Sequence, residues 1–416
     1  MKLLVFVHTP PPHHGQSYMV RLMLDGLGGD RRGEGAVATA AENERGIACY
    51  HVNARLSDDL TDVGTVRAGK LWALLRYCGQ AVGLRFRHGV THFYYVPTPP
   101  KRGSLYRDWL VMLLCRPWFR RIIFHWHAVG LGAWLDKHAR PWERWLTRRL
   151  LGRADLALVL SEFNRADAEA LRPRRVAVVA NGIPDPCPDF AERLAPRRRE
   201  RAAARQRLLA ENAPAPDALP PRGEDASSAD ADPAVVRVLY LAHCTRDKGV
   251  FDALAGVERA NAQLAERGAP LRLRLTVAGK FLDAAEERDF APRRAAAEAA
   301  GWLRMAGFVS GAEKERLFAE SDLFCFPTYF ANEGQPVNLL EAMAYGLPVV
   351  STRWRSIPEL LPPDYPGLIE PRQPDQVAAA LLALLPEDGL RFRQTFLERF
   401  TLERHLETLA AALRSV

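Results

Sequence analysis

FPTYFANEGQPVNLLEAMAYGLPVV, residues 326–350, is the most informative stretch of the chain. Its pattern predicts a strand, a polar loop carrying Glu333, Gly334 and Gln335, a helix, and a second strand that begins at PVV. Pro336 is expected to open the helix, because proline lacks an N–H that has no partner in the first helical turn. The glycine of AYG is expected to end it.

This arrangement is suited to a phosphorylated ligand. A helix N-terminus that follows a glycine-containing loop presents backbone N–H groups and a partial positive charge, which favour a pyrophosphate. Glu341 lies among apolar neighbours on the helix, and a buried carboxylate needs partners such as sugar or ribose hydroxyls. Glu333 and Glu341 are eight positions apart, or up to roughly 12 Å along a helix. Two such glutamates also occur by chance, so the surrounding loop carries the functional interpretation.

Length and composition indicate a globular protein with two domains. The chain has 416 residues and is 48% hydrophobic and 25% charged, which is ordinary for soluble globular proteins. The formal net charge of +8 favours an acidic partner such as a nucleotide, a phosphate or an anionic membrane. A solvated basic face combined with arginine-rich codon usage would explain the same charge.

The cysteines predict neither disulfides nor a zinc site, because none lies in a C-x-x-C or Cys/His spacing. They are Cys49, Cys78, Cys115, Cys187, Cys244 and Cys325. The first residues do not resemble a signal peptide, since their apolar core is only residues 3–7. No apolar run approaches the roughly 20 residues that span a bilayer. A cytoplasmic location is therefore expected.

Short apolar strands alternate with helical stretches in two series, which predicts parallel sheets. The first series starts with residues 3–7 and the second with residues 235–242. The predicted fold class is α/β with two Rossmann-like domains. Residues 191–233 separate the series and contain no Val, Ile, Phe, Tyr, Trp or Thr. Within them, residues 212–233 are expected to form a disordered insertion, since they cannot bury enough apolar surface.

The predicted boundaries follow from these series. They are an N-terminal domain at 1–188, a linker with the insertion at 189–233, a second domain at 234–395, and a C-terminal helix at 396–416 that packs back toward the first domain. Two further helices are expected. One covers residues 292–300 with Pro292 in its first turn, and residues 390–416 are expected to be helical throughout.

The opening stretch resembles the signature of the retaining family 4 glycosyltransferases of glycosyltransferase group 1. These nucleotide-sugar enzymes share the glycosyltransferase B fold, in which two Rossmann-like domains face each other across a cleft. The common form is E-G-F-G-x-x-x-x-E-A-M-A-x-G-x-P-V-V. Residues 341–344, Gly346 and residues 348–350 match it, whereas Glu333-Gly334-Gln335-Pro336 replaces E-G-F-G. The resemblance implies an N-terminal acceptor domain and a C-terminal donor domain.

The resemblance also implies roles for individual residues. Glu333 would contact hydroxyls of the donor sugar, and Glu341 would bind the ribose diol. The segment that would hold the sugar and the phosphate consists of Gly334, Gln335, Pro336, Val337 and Asn338.

A second resemblance covers VLYLAHCTRDKGVFDAL, residues 238–254, which is similar to the family's strand followed by G-R-L-x-x-x-K-G. Lys248 would pair with the donor diphosphate as a point charge. His243 replaces the usual arginine, and Arg246 is the candidate to take over its cationic contact. Without this context, Lys248 would be interpreted as a solvated loop lysine.

Two glycine turns complete the predicted donor contacts. Gly307, Phe308 and Val309 resemble the turn whose backbone contacts the nucleotide base. PPPHHGQS at the N-terminus resembles the glycine loop that approaches the diphosphate, which makes Gly15 and Gln16 candidates. A glycine after a strand is by itself equally consistent with an ordinary turn.

FHWHAVG resembles the family's H-x-H at a strand end. His127 would contact the donor sugar and His125 would support it, although both could be packed structural histidines. The predicted catalytic residues are Glu333, His127 and Lys248. Asn181-Gly182-Ile183-Pro184 resembles another family landmark and is interpreted as architectural.

Two basic aromatic segments suggest contact with an anionic membrane. RPWFRR covers residues 116–121, and RPWERWLTRRLLGR covers residues 140–153. Trp, Leu and Arg at helical spacing are typical of an interfacial helix. The alternative is an ordinary amphipathic surface helix with its tryptophans packed inward.

The expected function is retaining transfer of a hexosyl group from a nucleotide-diphosphate sugar to a glycan or lipid-linked acceptor, in polysaccharide or glycolipid synthesis. The expected location is cytoplasmic, with peripheral contact to the inner face of the cell membrane. No Asp-x-Asp motif lies near the candidates, so neither a metal nor another cofactor is expected. A nucleic-acid partner is not expected, because the basic residues join no recognition motif. The alternatives are a non-catalytic nucleotide-sugar-binding or membrane-scaffolding protein and, less favoured, an epimerase or hydrolase.

Overall fold

The structure is a computed structural model that describes residues 1–11, 15–32, 45–55, 68–210, 232–362 and 364–416. Two sequence-based predictions fall largely outside these ranges. The expected disordered insertion at 212–233 is described only at its last two positions, and Pro12, His13 and His14 of the predicted glycine loop are not described.

Strands and helices alternate from the N-terminus to residue 178. These elements are β1 (Lys2–Phe6), α1 (Gly15–Gly26), β2 (Ala48–Val52), α2 (Ala68–His88), β3 (His92–Tyr95), α3 (Arg102–Cys115), β4 (Arg121–Trp126), α4 (Leu131–His138), α5 (Pro141–Leu150), β5 (Leu156–Val159), α6 (Arg165–Glu169) and β6 (Val176–Val178). A 3-10 turn at Arg116–Trp118 follows α3.

A second alternating series follows two helices. These elements are α7 (Phe190–Arg193), α8 (Ala195–Ala210), β7 (Val235–Leu241), α9 (Val250–Glu266), β8 (Arg272–Ala278), α10 (Ala284–Ala299), β9 (Leu303–Gly307), α11 (Gly311–Glu320), β10 (Leu323–Phe326), α12 (Val337–Ala344), β11 (Val349–Thr352), β12 (Leu368–Ile369), α13 (Pro374–Ala383), α14 (Leu390–Arg399) and α15 (Leu402–Arg414). A 3-10 turn at Ile357–Leu360 lies between β11 and β12.

The strands form two separate parallel sheets of six strands each. The first has the order β2-β1-β3-β4-β5-β6 and the second β12-β11-β10-β7-β8-β9. All registered strand pairs are parallel, for example Leu3 with Cys49 and Leu323 with Val238. The predicted α/β fold with two Rossmann-like halves is therefore confirmed. In such sheets the loops at the carboxyl ends of the strands position ligand-binding residues.

The first sheet has a hydrophobic core on each face. Leu4 and Phe6 of β1 pack on one side with residues of α2 and α3. Leu3 and Val5 point to the other side, where α1 and α15 supply the cover. This alternation of adjacent side chains follows from the pleat of a strand. The C-terminal helix α15 is thus part of the first core.

The chain divides into two compact units. Unit 1 contains residues 1–184, 331–335 and 400–416, and unit 2 contains residues 185–330 and 336–399. The predicted boundaries assigned residues 331–335 to the second domain, but this short segment groups with unit 1. The predicted linker also differs, because α8 is part of unit 2.

Two predicted helices have different bounds in the structure. Helix α10 begins at Ala284, so Pro292 lies inside the helix instead of in its first turn. The missed start signal is Asp283, whose side chain accepts a hydrogen bond from the Ala285 N–H at 2.7 Å. Proline at an exposed interior position is tolerated here despite its cost.

The C-terminal segment contains two helices instead of one. Helix α14 ends at Arg399 and α15 starts at Leu402. Between them the backbone pairs with Ile183, whose N–H donates to the Phe400 carbonyl at 3.0 Å and whose carbonyl accepts from Leu402 at 2.8 Å. Because these bonds require extended backbone, the helix cannot continue through Phe400 and Thr401.

Candidate functional site

Three histidines meet near the carboxyl end of the first sheet. His125 is the penultimate residue of β4 and is buried, and His127 follows the strand. Their ring centroids are 4.2 Å apart. His405 of α15 is also buried, and its Nδ1 lies 2.6 Å from the carbonyl oxygen of Ala180. The first two histidines were predicted from the FHWHAVG motif, whereas His405 was not, because nothing in its helix distinguishes it from an ordinary amphipathic position.

The interior histidines are held in the neutral form. Burial lowers the pKa of His125 well below its ordinary value, and the neighbouring His127 and His405 lower it further. Burial also lowers the pKa of His405, against the opposing effect of its bond to Ala180. The Tyr94 hydroxyl hydrogen bonds to Nδ1 of His125 and fixes the orientation of the ring. His125 is therefore a buried, neutral neighbour of His127, and its supporting role stays a prediction.

These shifts predict a loss of stability in mild acid. For His51, His125 and His405, burial makes the folded-state pKa lower than the unfolded value of about 6.5. Their stabilising effect is therefore complete above pH 6.5 and is lost as the pH falls below it. The free energy of unfolding should fall by up to about 1.4 kcal/mol per pH unit for each histidine. Urea denaturation between pH 7.5 and 5.5 measures this slope.

His405→Asn provides a control, since asparagine can still donate to the Ala180 carbonyl but does not titrate. The free energy of unfolding of this variant should change less steeply with pH than that of the wild-type chain. A free energy of unfolding that stays constant over this pH range would contradict the assignment of buried neutral histidines.

Residues 333–335, at the start of the predicted sugar-binding segment, lie in unit 1 next to this cluster. Glu333, Gly334 and Gln335 are all buried. Gly334 is so close to the backbone of His127 that a Cβ atom would overlap its carbonyl oxygen, and it would also approach Leu160 Cδ1 to 3.3 Å. Only glycine permits this approach. The structure therefore brings Glu333 and His127, two of the three predicted catalytic residues, into one region.

Gln335 explains one departure from the family signature. The backbone N–H of Asn181 donates to Gln335 Oε1 at 2.5 Å, and Asn181 Nδ2 donates to the Gln335 carbonyl at 3.1 Å. Gln335 thus anchors the segment to the loop after β6 through two hydrogen bonds. Asn181 was predicted to be architectural, and its pairing with Gln335 leaves no pattern in the sequence because the partners are 154 positions apart.

In unit 2, the loop after β7 carries the predicted phosphate-binding lysine. The ammonium of Lys248 lies 4.4 Å from the centroid of the Phe330 ring and 5.7 Å from that of Phe326, both within cation–π range. The Tyr240 hydroxyl lies 3.0 Å and 3.2 Å from the carbonyl oxygens of His243 and Lys248 and fixes the loop. The lysine is thereby positioned at the carboxyl edge of the second sheet.

His243 occupies the position of the arginine in the family signature but does not supply its positive charge. Burial lowers its pKa, and the positive charge of Lys248 lowers it further. Arg246 is directed elsewhere: its guanidinium forms a 3.1 Å ion pair with Asp289 and lies 3.9 Å from the centroid of the Phe251 ring. Lys248 is thus the predicted phosphate ligand with the strongest positional support.

Helix α12 follows β10, and its N-terminus differs slightly from the prediction. Pro336 precedes the helix as its N-cap residue and does not cap it with a side-chain hydrogen bond. Its φ of −65° and ψ of 121° are extended, so the helix starts at Val337. Asn338 Nδ2 donates to the Leu241 carbonyl at 2.8 Å, which ties α12 to β7. Its Oδ1 is buried without a hydrogen-bond partner among the described residues.

Glu341 has a partner that sequence analysis missed. Lys314 of α11 donates to its carboxylate at 2.6 Å, with both side chains mostly shielded from solvent. The predicted need of this carboxylate for partners is thus met partly by a lysine. Lys314 stands 27 positions away on another helix, so no spacing pattern in the sequence links the two.

The predicted base-binding turn lies at the end of β9. Gly307 has a φ of +69°, a conformation that favours glycine, and its carbonyl accepts a 2.7 Å bond from the Gly279 N–H. Phe308 is exposed and Val309 is buried. Lys280 lies 5.9 Å from the centroid of the Phe308 ring. An exposed aromatic ring here is a suitable stacking surface for a base.

The remaining candidates have less structural support. Gly15 and Gln16 form the first turn of α1, after β1 in unit 1, and no contact described in the structure links them to the histidine cluster. Within the described ranges, no group of three or more His, Cys, Asp or Glu side chains is placed to hold a metal ion. Metal independence stays a prediction. None of the described helices is long and apolar enough to cross a membrane.

The second half of the chain is similar in sequence to known glycosyltransferases. Residues 236–387 match the family model described as Glycosyl transferases group 1. The chain is 38% identical over 89 residues to the amylovoran biosynthesis glycosyltransferase AmsK of Erwinia amylovora, covering 20% of this chain and 22% of that one. It is 30% identical over 152 residues to the putative colanic acid biosynthesis glycosyltransferase WcaL of Escherichia coli K12, covering 36% and 35%. The chain thus matches about a third or less of the length of these relatives.

A solved structure extends the likeness to the whole fold. Anabaena Alr3699/HepE, in complex with UDP and glucose, superposes with a TM-score of 0.61 over 100% of both chains at 14% identity. At this identity the likeness shows the fold alone, which is the glycosyltransferase B fold named by the sequence resemblance. Residues 236–387 accordingly match the glycosyl transferases group 1 family, within a chain that has the glycosyltransferase B fold.

Proposed function

We propose that the chain is a retaining glycosyltransferase that moves a hexosyl group from a nucleotide-diphosphate sugar to a hydroxyl of a glycan or lipid-linked acceptor. The family match over residues 236–387 supports a glycosyltransferase activity. The names of the relatives refer to amylovoran and colanic acid biosynthesis, which supports a role in polysaccharide synthesis. The Anabaena protein is described with UDP and glucose, which supports a nucleotide-sugar donor.

One observation carries the proposal. Strands β7 and β10 are neighbours in the second sheet, and Lys248 follows the first while the N-terminus of α12 follows the second. A lysine ammonium and a helix N-terminus without a side-chain cap, both following strands of one sheet edge, would attract a diphosphate. The buried Oδ1 of Asn338 next to this N-terminus offers an acceptor for a ligand hydroxyl.

The chemistry follows from this charge distribution. Negative charge develops on the leaving diphosphate as the sugar departs, and Lys248 and the helix N-terminus would stabilise it. Glu341, already paired with Lys314, retains carboxylate lone pairs for the ribose hydroxyls. Glu333 and His127 would contact the donor sugar, as the family resemblance implies. The reaction requires no metal in this proposal.

A lipid-linked acceptor would place the reaction at a membrane surface. We therefore include peripheral association with the inner face of the cell membrane in the proposal. The concentration of basic and aromatic side chains in unit 1 supports it, since such side chains favour anionic interfaces.

Nucleoside diphosphates test the donor site directly. Thermal unfolding should shift to higher temperature with one of UDP, GDP or ADP in preference to the others, because a ligand that binds only the folded state stabilises it. Lys248→Ala should weaken this binding about tenfold or more, since it removes a charge-assisted contact to phosphate. Lys137→Ala removes the same charge from an exposed position on α4 and should leave the shift unchanged.

Turnover of nucleotide-sugars distinguishes a glycosyltransferase from a non-catalytic nucleotide-sugar-binding protein. The chain should transfer or hydrolyse one member of a nucleotide-sugar panel with the sugar's anomeric configuration retained, and Glu333→Ala should abolish this. Selective nucleotide binding with no turnover across the panel would favour a non-catalytic binding protein. Inversion of the anomeric carbon would refute the retaining mechanism.

A further inference from the structure

Helix α2 buries one face and exposes an apolar stripe on the other. Its inward side chains belong to the core of unit 1. The exposed side chains include Leu71 and Leu75, together with Trp72 and Phe86, which are 72% and 64% exposed. At about 100° per residue, these four positions fall within an arc of about 100° on the helix surface. An isolated exposed leucine needs no explanation, but a stripe with Trp and Phe does.

Cationic side chains border this stripe on both sides. Arg76 and Arg87 lie along one edge in helical projection, and Arg85 lies along the other. The helix contains no acidic residue over Ala68–His88. Arginine and lysine can lay their aliphatic stems along apolar surface while keeping the charge in water. The outer face of α2 therefore has an apolar centre and a basic rim.

The stripe continues onto the neighbouring elements. Helix α3 packs against α2 on one side and against α5 on the other. The Phe86 ring lies 5.7 Å from the exposed Trp118 ring, and Arg85 Nε donates to the Trp118 carbonyl at 2.9 Å. On α5, Trp145 is 66% exposed, and Trp142 is half exposed while one side of its ring contacts the buried Trp109 at 5.7 Å between centroids. We call the outer surface of α2, α3, the Arg116–Trp118 turn and α5 the basic aromatic face.

This face concentrates the charge and the exposed apolar groups of the chain. Residues 68–153 contain sixteen Lys and Arg but only three acidic residues, a net charge of +13, so the rest of the chain has a net charge of −5 within the total of +8. Of fifteen large hydrophobic side chains exposed in the described part of the chain, nine lie in this segment. Composition alone had suggested a basic protein, and the distribution of charge along the chain places its largest net positive charge in this segment of unit 1.

We propose that the basic aromatic face, centred on the outer stripe of α2, docks on an anionic phospholipid bilayer. The inference rests on the peripheral association included in the proposed function and identifies the surface responsible for it. Trp72, Phe86 and the leucines between them would enter the boundary between headgroups and acyl chains. Arg76 and Arg87 on one edge and Arg85 on the other would contact lipid phosphates.

Other partners fit the face less well. A nucleic acid would use the cations but gain nothing from Leu71 and Leu75 in the centre of the stripe. A second copy of the chain would bring arginines of the same sign together, which opposes association. A bilayer with anionic headgroups satisfies both the apolar centre and the basic rim.

Vesicle flotation with the full chain tests the proposal. Vesicles of phosphatidylcholine with about 30% phosphatidylglycerol should bind the chain, and pure phosphatidylcholine vesicles should bind it at least tenfold less, because each basic residue near an anionic surface contributes attraction. Trp72→Ser/Phe86→Ser should reduce binding to the anionic vesicles about tenfold or more, and Arg76→Gln/Arg87→Gln should do the same. The matched control is Leu282→Ser/Leu397→Ser, which removes two exposed apolar side chains from unit 2 and should bind like the wild type.

The altered side chains are exposed, so melting curves of all variants should match the wild type and show that folding is intact. Hydrolysis of the nucleotide-sugar should also be unchanged in the vesicle-binding variants, which separates this inference from the proposed chemistry. Undiminished vesicle binding by the Trp72/Phe86 variant would overturn the inference. So would equal binding to both vesicle types, loss of a dimer in the variant by analytical ultracentrifugation, or duplex DNA binding that depends on the arginines but not on Trp72 and Phe86.

Discussion

Gly334→Ala is expected to reduce glycosyl transfer by about 100-fold or more. The Cβ atom of alanine would overlap the carbonyl oxygen of His127 and press on Leu160 Cδ1, so the segment that carries Glu333 must move. The His127 carbonyl belongs to the backbone after a central strand of the sheet and cannot move easily. A displacement of about 1 Å in positioning groups can cost about 100-fold in rate. Initial rates with the active nucleotide-sugar measure the effect.

The same change should loosen the anchor made by Gln335. A shift of residue 334 alters the path of the chain to Gln335, whose two hydrogen bonds with Asn181 depend on its position. Thermal unfolding should therefore occur at a lower temperature, with overpacking costing about 1–3 kcal/mol. Gly79→Ala is the matched control: its Cβ meets nothing within 4 Å on the exposed face of α2, and alanine favours a helix. Full activity of Gly334→Ala would show that this close approach is not needed for the reaction.

The sequence predicted the fold well because its strands are apolar and its turns are marked by glycine and proline. The first strands of the two series were predicted at residues 3–7 and 235–242, and the structure has them at Lys2–Phe6 and Val235–Leu241, within one residue at each end, since each is a largely apolar run followed by polar or turn-forming residues. The break at Phe400 was not predicted, because it depends on pairing with Ile183, more than 200 positions earlier. Local patterns report local structure, whereas such long-range pairing leaves no periodic signal.

Only the motif residues of the candidate site could be predicted from the sequence. Glu333, Lys248 and His127 follow strands in recognisable motifs, and the structure places each after the expected strand. Their partners could not be found in the same way. Lys314 and His405 occupy ordinary helical positions, and only tertiary packing brings them to Glu341 and His125.

Helix α8 shows a further limit of hydrophobic patterning. Its sequence, APRRRERAAARQRLLA, suggests a solvated helix, yet Arg198, Arg201 and Arg205 are buried. These positions are separated by three and four residues, the spacing of a helix face that packs inward. The buried face of α8 is thus formed by arginines whose charge must be compensated by nearby groups. Helix prediction from the spacing of apolar residues cannot detect such a face, because its buried residues are charged.

Asp322→Ala is expected to lower the free energy of unfolding by about 3–5 kcal/mol, the cost of leaving a buried ion pair without one partner. Asp322 is 5% exposed and accepts two bonds from Arg201, at 2.8 and 2.9 Å. It also accepts one from Arg205 at 2.9 Å and one from the backbone N–H of Arg237 at 2.9 Å. Despite the opposing effect of burial, the two guanidinium groups hold the pKa of this carboxyl well below its ordinary value.

The loss should be large because two buried cations depend on one carboxylate. Without Asp322, Arg201 retains a bond to the Val235 carbonyl and Arg205 one to the Leu385 carbonyl, but neither carbonyl neutralises a charge. Asp322→Asn keeps an acceptor of the same size and should recover only part of the loss, whereas full recovery would mean that hydrogen bonding and not charge is responsible. Glu258→Ala, which breaks the exposed pair with Arg293 in the same unit, should change stability by less than about 1 kcal/mol. Urea denaturation of the three variants measures these differences in the free energy of unfolding. If Asp322→Ala were no less stable than Glu258→Ala, water would have to reach the arginines, and this ionic contact would not hold α8 in place.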